Sequence, residues 1–183
     1  MEELSLHLID LIENSISAKA SLIKILIEVS KSNDLIKIVI EDNGEGMNEE
    51  EIEKAKDPFF TTKKNKKVGL GIPIFAQIVE SCGGRFEIVS QKGKGTKVNA
   101  EMKLSHIDRP PLGDLASTLF TSIIGHPDVD FLIKIKTDEG IVEINTAEIK
   151  EFLGESSFNH PEVIIFLREN IDREIKGILK GGI

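Results

Sequence analysis

Residues 38–47 read Ile-Val-Ile-Glu-Asp-Asn-Gly-Glu-Gly-Met. The β-rich run before Asp42 predicts a strand, and the glycines after it predict a sharp turn. Because glycine has no side chain, Gly44 and Gly46 let the backbone turn tightly and let a ligand approach it closely. A carboxylate at the end of such a strand can accept a hydrogen bond from an amino group. Asp-Asn-Gly is also a common turn sequence, so this segment alone leaves a plain turn open.

The segment ahead of this strand predicts a helix over residues 4–20, because apolar residues recur there at helical spacing. Beside the apolar stripe, four polar residues are spaced by three or four positions and share one face: His7, Asp10, Asn14 and Ser17. A polar stripe of this kind can simply be solvated, or it can line a binding site.

Three segments downstream also carry candidate binding chemistry. Residues 57–63 read Asp-Pro-Phe-Phe-Thr-Thr-Lys. This segment is either a functional loop or a loop whose two aromatic side chains are buried in the core. Residues 68–72 read Val-Gly-Leu-Gly-Ile and lead into a helix predicted over 71–81. Helix N-termini flanked by glycine bind phosphate groups through free backbone N–H groups. Residues 93–96, Gly-Lys-Gly-Thr, begin a further predicted strand.

These five segments, in this order and spacing, resemble the GHKL ATPase superfamily of gyrases, heat-shock chaperones, histidine kinases and mismatch-repair ATPases. The resemblance covers residues 1–105, and residues 58–63 are most similar to the histidine-kinase version. It implies an α/β two-layer sandwich of the histidine-kinase-like ATPase type, with a mixed sheet, helices on one face, and a site for ATP and Mg²⁺.

The resemblance also implies a role for each matching residue. Asn14 would be the protein ligand of Mg²⁺, and Asp42, supported by Thr96, would accept a hydrogen bond from the adenine amino group. The full set of implied nucleotide-binding residues is Asn14, Ser17, Asp42, Gly44, Gly46, Met47, Thr62, Lys63, Gly69, Leu70, Gly71, Ile72 and Thr96. Among these, Lys63 would reach the terminal phosphate, and residues 69–72 would offer backbone N–H groups to the phosphates.

Three positions depart from the family pattern. Lys67 stands where many relatives carry Gly, which indicates a short or incompletely closed lid. Ser17 stands where relatives often carry Lys or Asp. Hydrolytic members and anti-sigma serine kinases carry a Glu as general base four residues before Asn14, whereas this chain has Asp10. An Asp can accept a proton but reaches one methylene less far, so Asp10 is the catalytic candidate and its reach is the open question.

Residues beyond 105 predict a second region. Pro110-Pro111 breaks any regular element and marks a linker over residues 106–113. Helical segments and a hairpin then alternate over residues 114–183, which predicts a small α/β appendage of unknown role.

Composition excludes several classes of function. The net charge of −8 and pI near 5.1 argue against a nucleic-acid surface, which would need a basic face. An acidic N-terminus and the lack of a long apolar run predict a cytoplasmic protein that does not enter a membrane. Cys82, the single cysteine, cannot form an internal disulfide, and the spacing of the four histidines gives no zinc-site signal.

Two functions from different classes remain. The chain is either a regulatory protein kinase or phosphotransfer protein that acts on a partner protein, or an ATP-gated binding module with little catalysis. A slow ATPase that works as a dimeric clamp is a weaker third alternative, and oligomerisation stays open. Because Asn14 lies so near the N-terminus, we expect a stand-alone domain without a phosphoacceptor hairpin. We expect His7 to lie either behind the residues that contact the nucleotide or at the rim of the site.

Overall fold

The computed structural model describes residues 3–57, 70–154 and 158–180. The elements within these residues are α1 (Leu4–Ser17), β1 (Leu22–Ser30), β2 (Leu35–Asp42), α2 (Glu49–Lys56), α3 (Gly71–Ser81), β3 (Arg85–Gln91), β4 (Gly95–Lys103), α4 (Leu115–Gly125), β5 (Asp130–Thr137), β6 (Gly140–Asn145), α5 (Thr146–Leu153) and α6 (Pro161–Ile178). The predicted mixed α/β architecture is confirmed. In the described part of the chain, no helix combines the length and apolar character needed to cross a membrane.

The strands form one six-stranded sheet in the order β3-β4-β2-β1-β5-β6. Among the described strands, only the β1–β5 pair is parallel, and the other four pairs are antiparallel. Along β1, Ile23, Ile25 and Ile27 are buried while the alternate residues are more exposed. This period of two is the pattern of a sheet with one face covered, because successive side chains point to opposite faces.

The other face of the sheet carries ion pairs between neighbouring strands. Glu41 lies between Lys24 and Lys97, at 3.6 Å and 3.2 Å between the charged atoms. The same kind of pair joins β1 to β5 and β5 to β6, through Lys136–Glu28 and Lys134–Glu143. All these side chains are partly solvated, so each pair adds little stability, but together they show that this face is polar.

The described residues after 113 do not stand apart from those before 106. β5 extends the sheet from β1 over the whole register from Leu22↔Asp130 to Val29↔Thr137. The backbone N–H groups of Leu4 and Ser5 donate to the carbonyls of Pro111 and Leu112, at 2.9 and 3.0 Å, which ties α1 to the segment before α4. Buried side chains from both regions form one continuous core. The predicted appendage is thus continuous with the ATPase-like sheet.

Helix α1 is shorter than predicted. It ends at Ser17 rather than Ala20, and Lys19 adopts a positive φ of 59°, which a helix does not allow. The N–H groups of Ala18 and Lys19 still bond back to Asn14 and Ile16, so the last turn is closed before the chain enters β1. This turn places the end of α1 beside the end of β2.

Candidate nucleotide-binding site

Asp42 is the buried acidic centre of the site. It is the last residue of β2, and only 9% of it is exposed. The Ser15 hydroxyl donates to its Oδ2 at 2.7 Å, and the backbone N–H of Gly44 donates to its Oδ1 at 2.8 Å. A buried carboxylate needs such donors, because an unpaired buried charge is costly. These two bonds fix the orientation of the carboxylate and leave each oxygen with a further acceptor position.

The glycines after Asp42 are required by close packing. A Cβ at Gly44 would lie 2.6 Å from the carbonyl oxygen of Ala18, a backbone atom that cannot move aside cheaply. Gly46 has a φ of +65°, and a Cβ there would overlap the carbonyl of Gln91. The predicted sharp turn is therefore present, and it runs against the end of α1 and the β3–β4 hairpin.

Thr96 lies next to Asp42 in the sheet. The two residues are direct neighbours in the antiparallel β2–β4 pair. The Thr96 hydroxyl is 2.8 Å from the Ser90 hydroxyl, and Ser90 also accepts a hydrogen bond of 2.7 Å from the backbone N–H of Met47. Three of the predicted residues, Asp42, Met47 and Thr96, thus belong to one hydrogen-bonded end of the sheet.

The four residues on the predicted polar face of α1 differ in how deeply they are buried. Asp10 and Ser17 are exposed, and Asn14 is half-buried. His7 is only 3% exposed and stacks on Phe75 of α3, with the ring centroids 5.8 Å apart. It therefore lies in the core between two helices and not at the rim, which is the other of the two positions that the sequence leaves open.

The start of α3 lies against Asp10. A Cβ at Gly71 would be 2.7 Å from the Asp10 Cβ and 3.3 Å from its Oδ2, so the glycine allows the two helices to meet here. The N–H of Ile74 bonds to the carbonyl of Leu70, and the N–H groups of Gly71 and Ile72 precede this first helical bond. These are the groups that a helix N-terminus offers to an anion. The candidate proton acceptor and the candidate phosphate-binding amides are thus adjacent.

Three predicted site residues, Thr62, Lys63 and Gly69, lie outside the described residues, as does the predicted departure at Lys67. Leu70 is the N-cap of α3, and its side chain is 49% exposed.

Charged groups around the site are paired on its rim. Lys19 and Glu45 approach to 2.8 Å; their hydrogen bond raises the pKa of Lys19 and lowers the pKa of Glu45. Glu13 is half-exposed, and its carboxylate lies 2.9 Å from Nε2 of His126 in the segment after α4. The helix that carries Asn14 is therefore also held from the C-terminal region.

Two residues of the site were missed from the sequence, Ser15 and Ser90. Ser15 continues the apolar spacing of Leu8, Leu11 and Ile12, so it falls on the core-facing side of α1. A serine in that position signals a buried hydroxyl that needs a partner, and the partner is Asp42. Ser90 gave no such signal, because its role depends on the pairing of β3 with β4.

Comparison with known proteins agrees with this geometry. Residues 2–106 match the family model of the histidine kinase-, DNA gyrase B-, and HSP90-like ATPases. The sensor histidine kinase ZraS of Escherichia coli is 30% identical over 112 residues, which are 61% of this chain and 24% of ZraS. An anti-sigma F factor of Clostridium perfringens is 34% identical over 82 residues, which are 44% of this chain and 54% of that factor.

The fold also has a counterpart among solved structures. The N-terminal domain of a DNA repair protein superposes with a TM-score of 0.55 at 14% identity, covering 79% of this chain and 52% of that one. These two curated relatives are matched over only part of their length, about a quarter of ZraS and about half of the anti-sigma factor. Since the family model spans more than half of the chain, the protein belongs to the histidine kinase-, DNA gyrase B-, and HSP90-like ATPase family.

Proposed function

We propose that the chain binds Mg-ATP at this site and transfers the γ-phosphoryl group to a side chain of a partner protein. The residues present fit the nucleotide. Asp42 is held by Ser15 and Gly44 but keeps free acceptor positions for an amino group. Asn14 makes no side-chain hydrogen bond to any described residue, so its oxygen is available to a cation. When bound, ATP would supply the phosphoryl group, and Mg²⁺ would neutralise part of the phosphate charge.

One observation carries the proposal of catalysis: Asp10 touches the first residue of α3. The N–H groups of Gly71 and Ile72 would hold phosphate oxygens there, and Asp10 would accept the proton of the attacking hydroxyl. A sensor histidine kinase and a sporulation kinase are among the relatives, which supports phosphoryl transfer rather than simple binding. The role that we favour is that this chain acts on a partner protein, such as a regulator or a phosphoacceptor protein.

The test is a label-transfer experiment. The purified protein is incubated with γ-³²P-ATP, Mg²⁺ and an extract of its source cells, and the proteins are separated by electrophoresis. We expect a labelled band that is absent with Asp10→Asn and retained with Glu13→Gln, a matched change of a neighbouring carboxylate on α1. A partner that is captured only with ATP and carries no label would contradict transfer and support the ATP-gated module.

A further inference from the structure

Three side chains form a row across the end of the sheet. Asp42 on β2 pairs with Thr96 on β4, and Thr96 pairs with Ser90 on β3. Directly paired residues of antiparallel strands project to the same face, so the row begins at the buried carboxylate and ends at Ser90. The family resemblance assigns Asp42 and Thr96 to nucleotide binding but not Ser90, which is the next residue in this row across the sheet.

Among the described residues, the Ser90 hydroxyl has three neighbours at hydrogen-bond distance. They are the backbone N of Met47 at 2.7 Å, the hydroxyl of Thr96 at 2.8 Å and the carbonyl oxygen of Gly95 at 3.0 Å. A hydroxyl has one proton to donate and two lone pairs to accept. Ser90 is half-buried, and these three contacts use its whole hydrogen-bonding capacity.

The directions of these bonds follow from the chemistry of the partners. The carbonyl of Gly95 can only accept, so it takes the single proton of Ser90, and the N–H of Met47 can only donate. Thr96 must then donate its own proton to Ser90. The Thr96 oxygen is left with lone pairs alone, and because Thr96 is paired directly with Asp42, both residues present acceptors on the same face of the sheet.

We propose that Ser90 is a positioning residue that sets the specificity of the site for adenine. Because Ser90 accepts the Thr96 proton, Thr96 and Asp42 both act as hydrogen-bond acceptors. Two acceptors suit the amino group of adenine, which donates, and they repel the carbonyl oxygen that guanine carries in its place. By holding the Met47 amide, Ser90 also fixes the end of the glycine turn. This inference rests on the proposed binding of ATP.

Replacing Ser90 by Ala frees the Thr96 proton to turn toward the base. The dissociation constants of Mg-ATP, Mg-GTP and purine riboside triphosphate, which lacks the amino group, are measured by titration calorimetry on the full chain. We expect Ser90→Ala to weaken ATP binding roughly 3- to 10-fold, the net worth of one hydrogen bond. Binding of purine riboside triphosphate should change less, so the preference for ATP over both other nucleotides falls.

Two further variants separate positioning from folding. Ser90→Thr keeps the hydroxyl and should restore the native preference, and Ser81→Ala, an exposed serine at the end of α3, should leave it unchanged. A Ser90→Ala protein that melts at a lower temperature but keeps the native ratio of ATP to GTP affinity would overturn the inference. A native protein without any preference for ATP would instead overturn the proposed function, so the two failures are distinguishable.

Discussion

Asp10 combines an exposed carboxylate with direct contact to the start of α3. Asp10→Asn is nearly isosteric, so nucleotide binding should persist while turnover falls by about 10²–10⁴-fold, the usual contribution of a general base. Because Asp reaches less far than Glu, native turnover should lie well below the roughly 10 s⁻¹ typical of enzymes, and Asp10→Glu should raise it. Single-turnover measurements with labelled ATP check both variants. Native turnover in Asp10→Asn would reduce Asp10 to a positioning residue.

Asn14 is half-buried, and its side chain makes no hydrogen bond to another of the described residues. Asn14→Ala should therefore remove the dependence of nucleotide affinity on Mg²⁺ while the circular dichroism spectrum stays native. The measurement is ATP titration with and without Mg²⁺ or a chelator. A variant that is unfolded would show that Asn14 is structural, contrary to its assignment as the magnesium ligand.

Some residues of the candidate site can be predicted from the sequence and others cannot. Asp42 and Gly44 could be predicted because the strand, the turn and the family motif are contiguous in the chain. Ser15 left a local signal in the apolar spacing of α1 that was not used. Ser90 could not be found locally, since its three partners come from the turn after β2 and the start of β4. Such contacts are created by strand pairing and not by spacing along the chain.

At the scale of elements, Asp138 connects two hairpin turns. Its carboxylate accepts hydrogen bonds from the N–H groups of Lys31 and Ser32 and from the hydroxyls of Ser30 and Ser32, at 2.7–2.9 Å. Led by the bond from the Ser32 N–H, these donors lower the pKa of Asp138 to about 2. These hydrogen bonds hold the β5–β6 turn against the β1–β2 turn.

The lowered pKa predicts how stability changes in acid. The folded state holds the charged carboxylate better than the unfolded state does, so the stabilisation is complete above the usual Asp pKa near 4 and is lost as pH falls toward 2. Urea unfolding of native protein and Asp138→Asn should converge between pH 4 and pH 2. Asp128→Asn, an exposed turn residue, is the control. A constant difference across this range would contradict the role of Asp138.

The sequence predicts the boundaries of helices and strands more accurately than it predicts which strands pair. α3 begins and ends where its sequence signals place it, because Pro73 lies in its first turn and Gly83-Gly84 follows its end. The parallel pairing of β1 with β5 joins strands about a hundred residues apart, and no local pattern encodes such a contact. The sequence alone therefore predicts an appendage after residue 105.

At the scale of the molecule, the C-terminal region covers the edge and core of the ATPase-like part. β5 protects the outer edge of β1, and α4 packs on α1. A fragment of residues 1–105 would expose the β1 edge together with buried residues such as Leu4, and free sheet edges promote aggregation. We expect this fragment to aggregate or to melt without cooperativity in calorimetry. A fragment that melts cooperatively and binds ATP would instead make residues 1–105 an independent domain.

The central claim is that Asp42 makes the chain an adenine-nucleotide site, and titration of the native protein and Asp42→Asn with Mg-ATP and Mg-GTP tests it most directly. Asn in place of Asp42 loses the charge that Ser15 and Gly44 hold in position, and it offers one acceptor oxygen instead of two. We predict that the native protein prefers ATP strongly and that Asp42→Asn loses about 2–3 kcal/mol of ATP binding, typical of a hydrogen bond to a charged group. Equal affinities of the native protein for ATP and GTP, or unchanged ATP binding by Asp42→Asn, would contradict it.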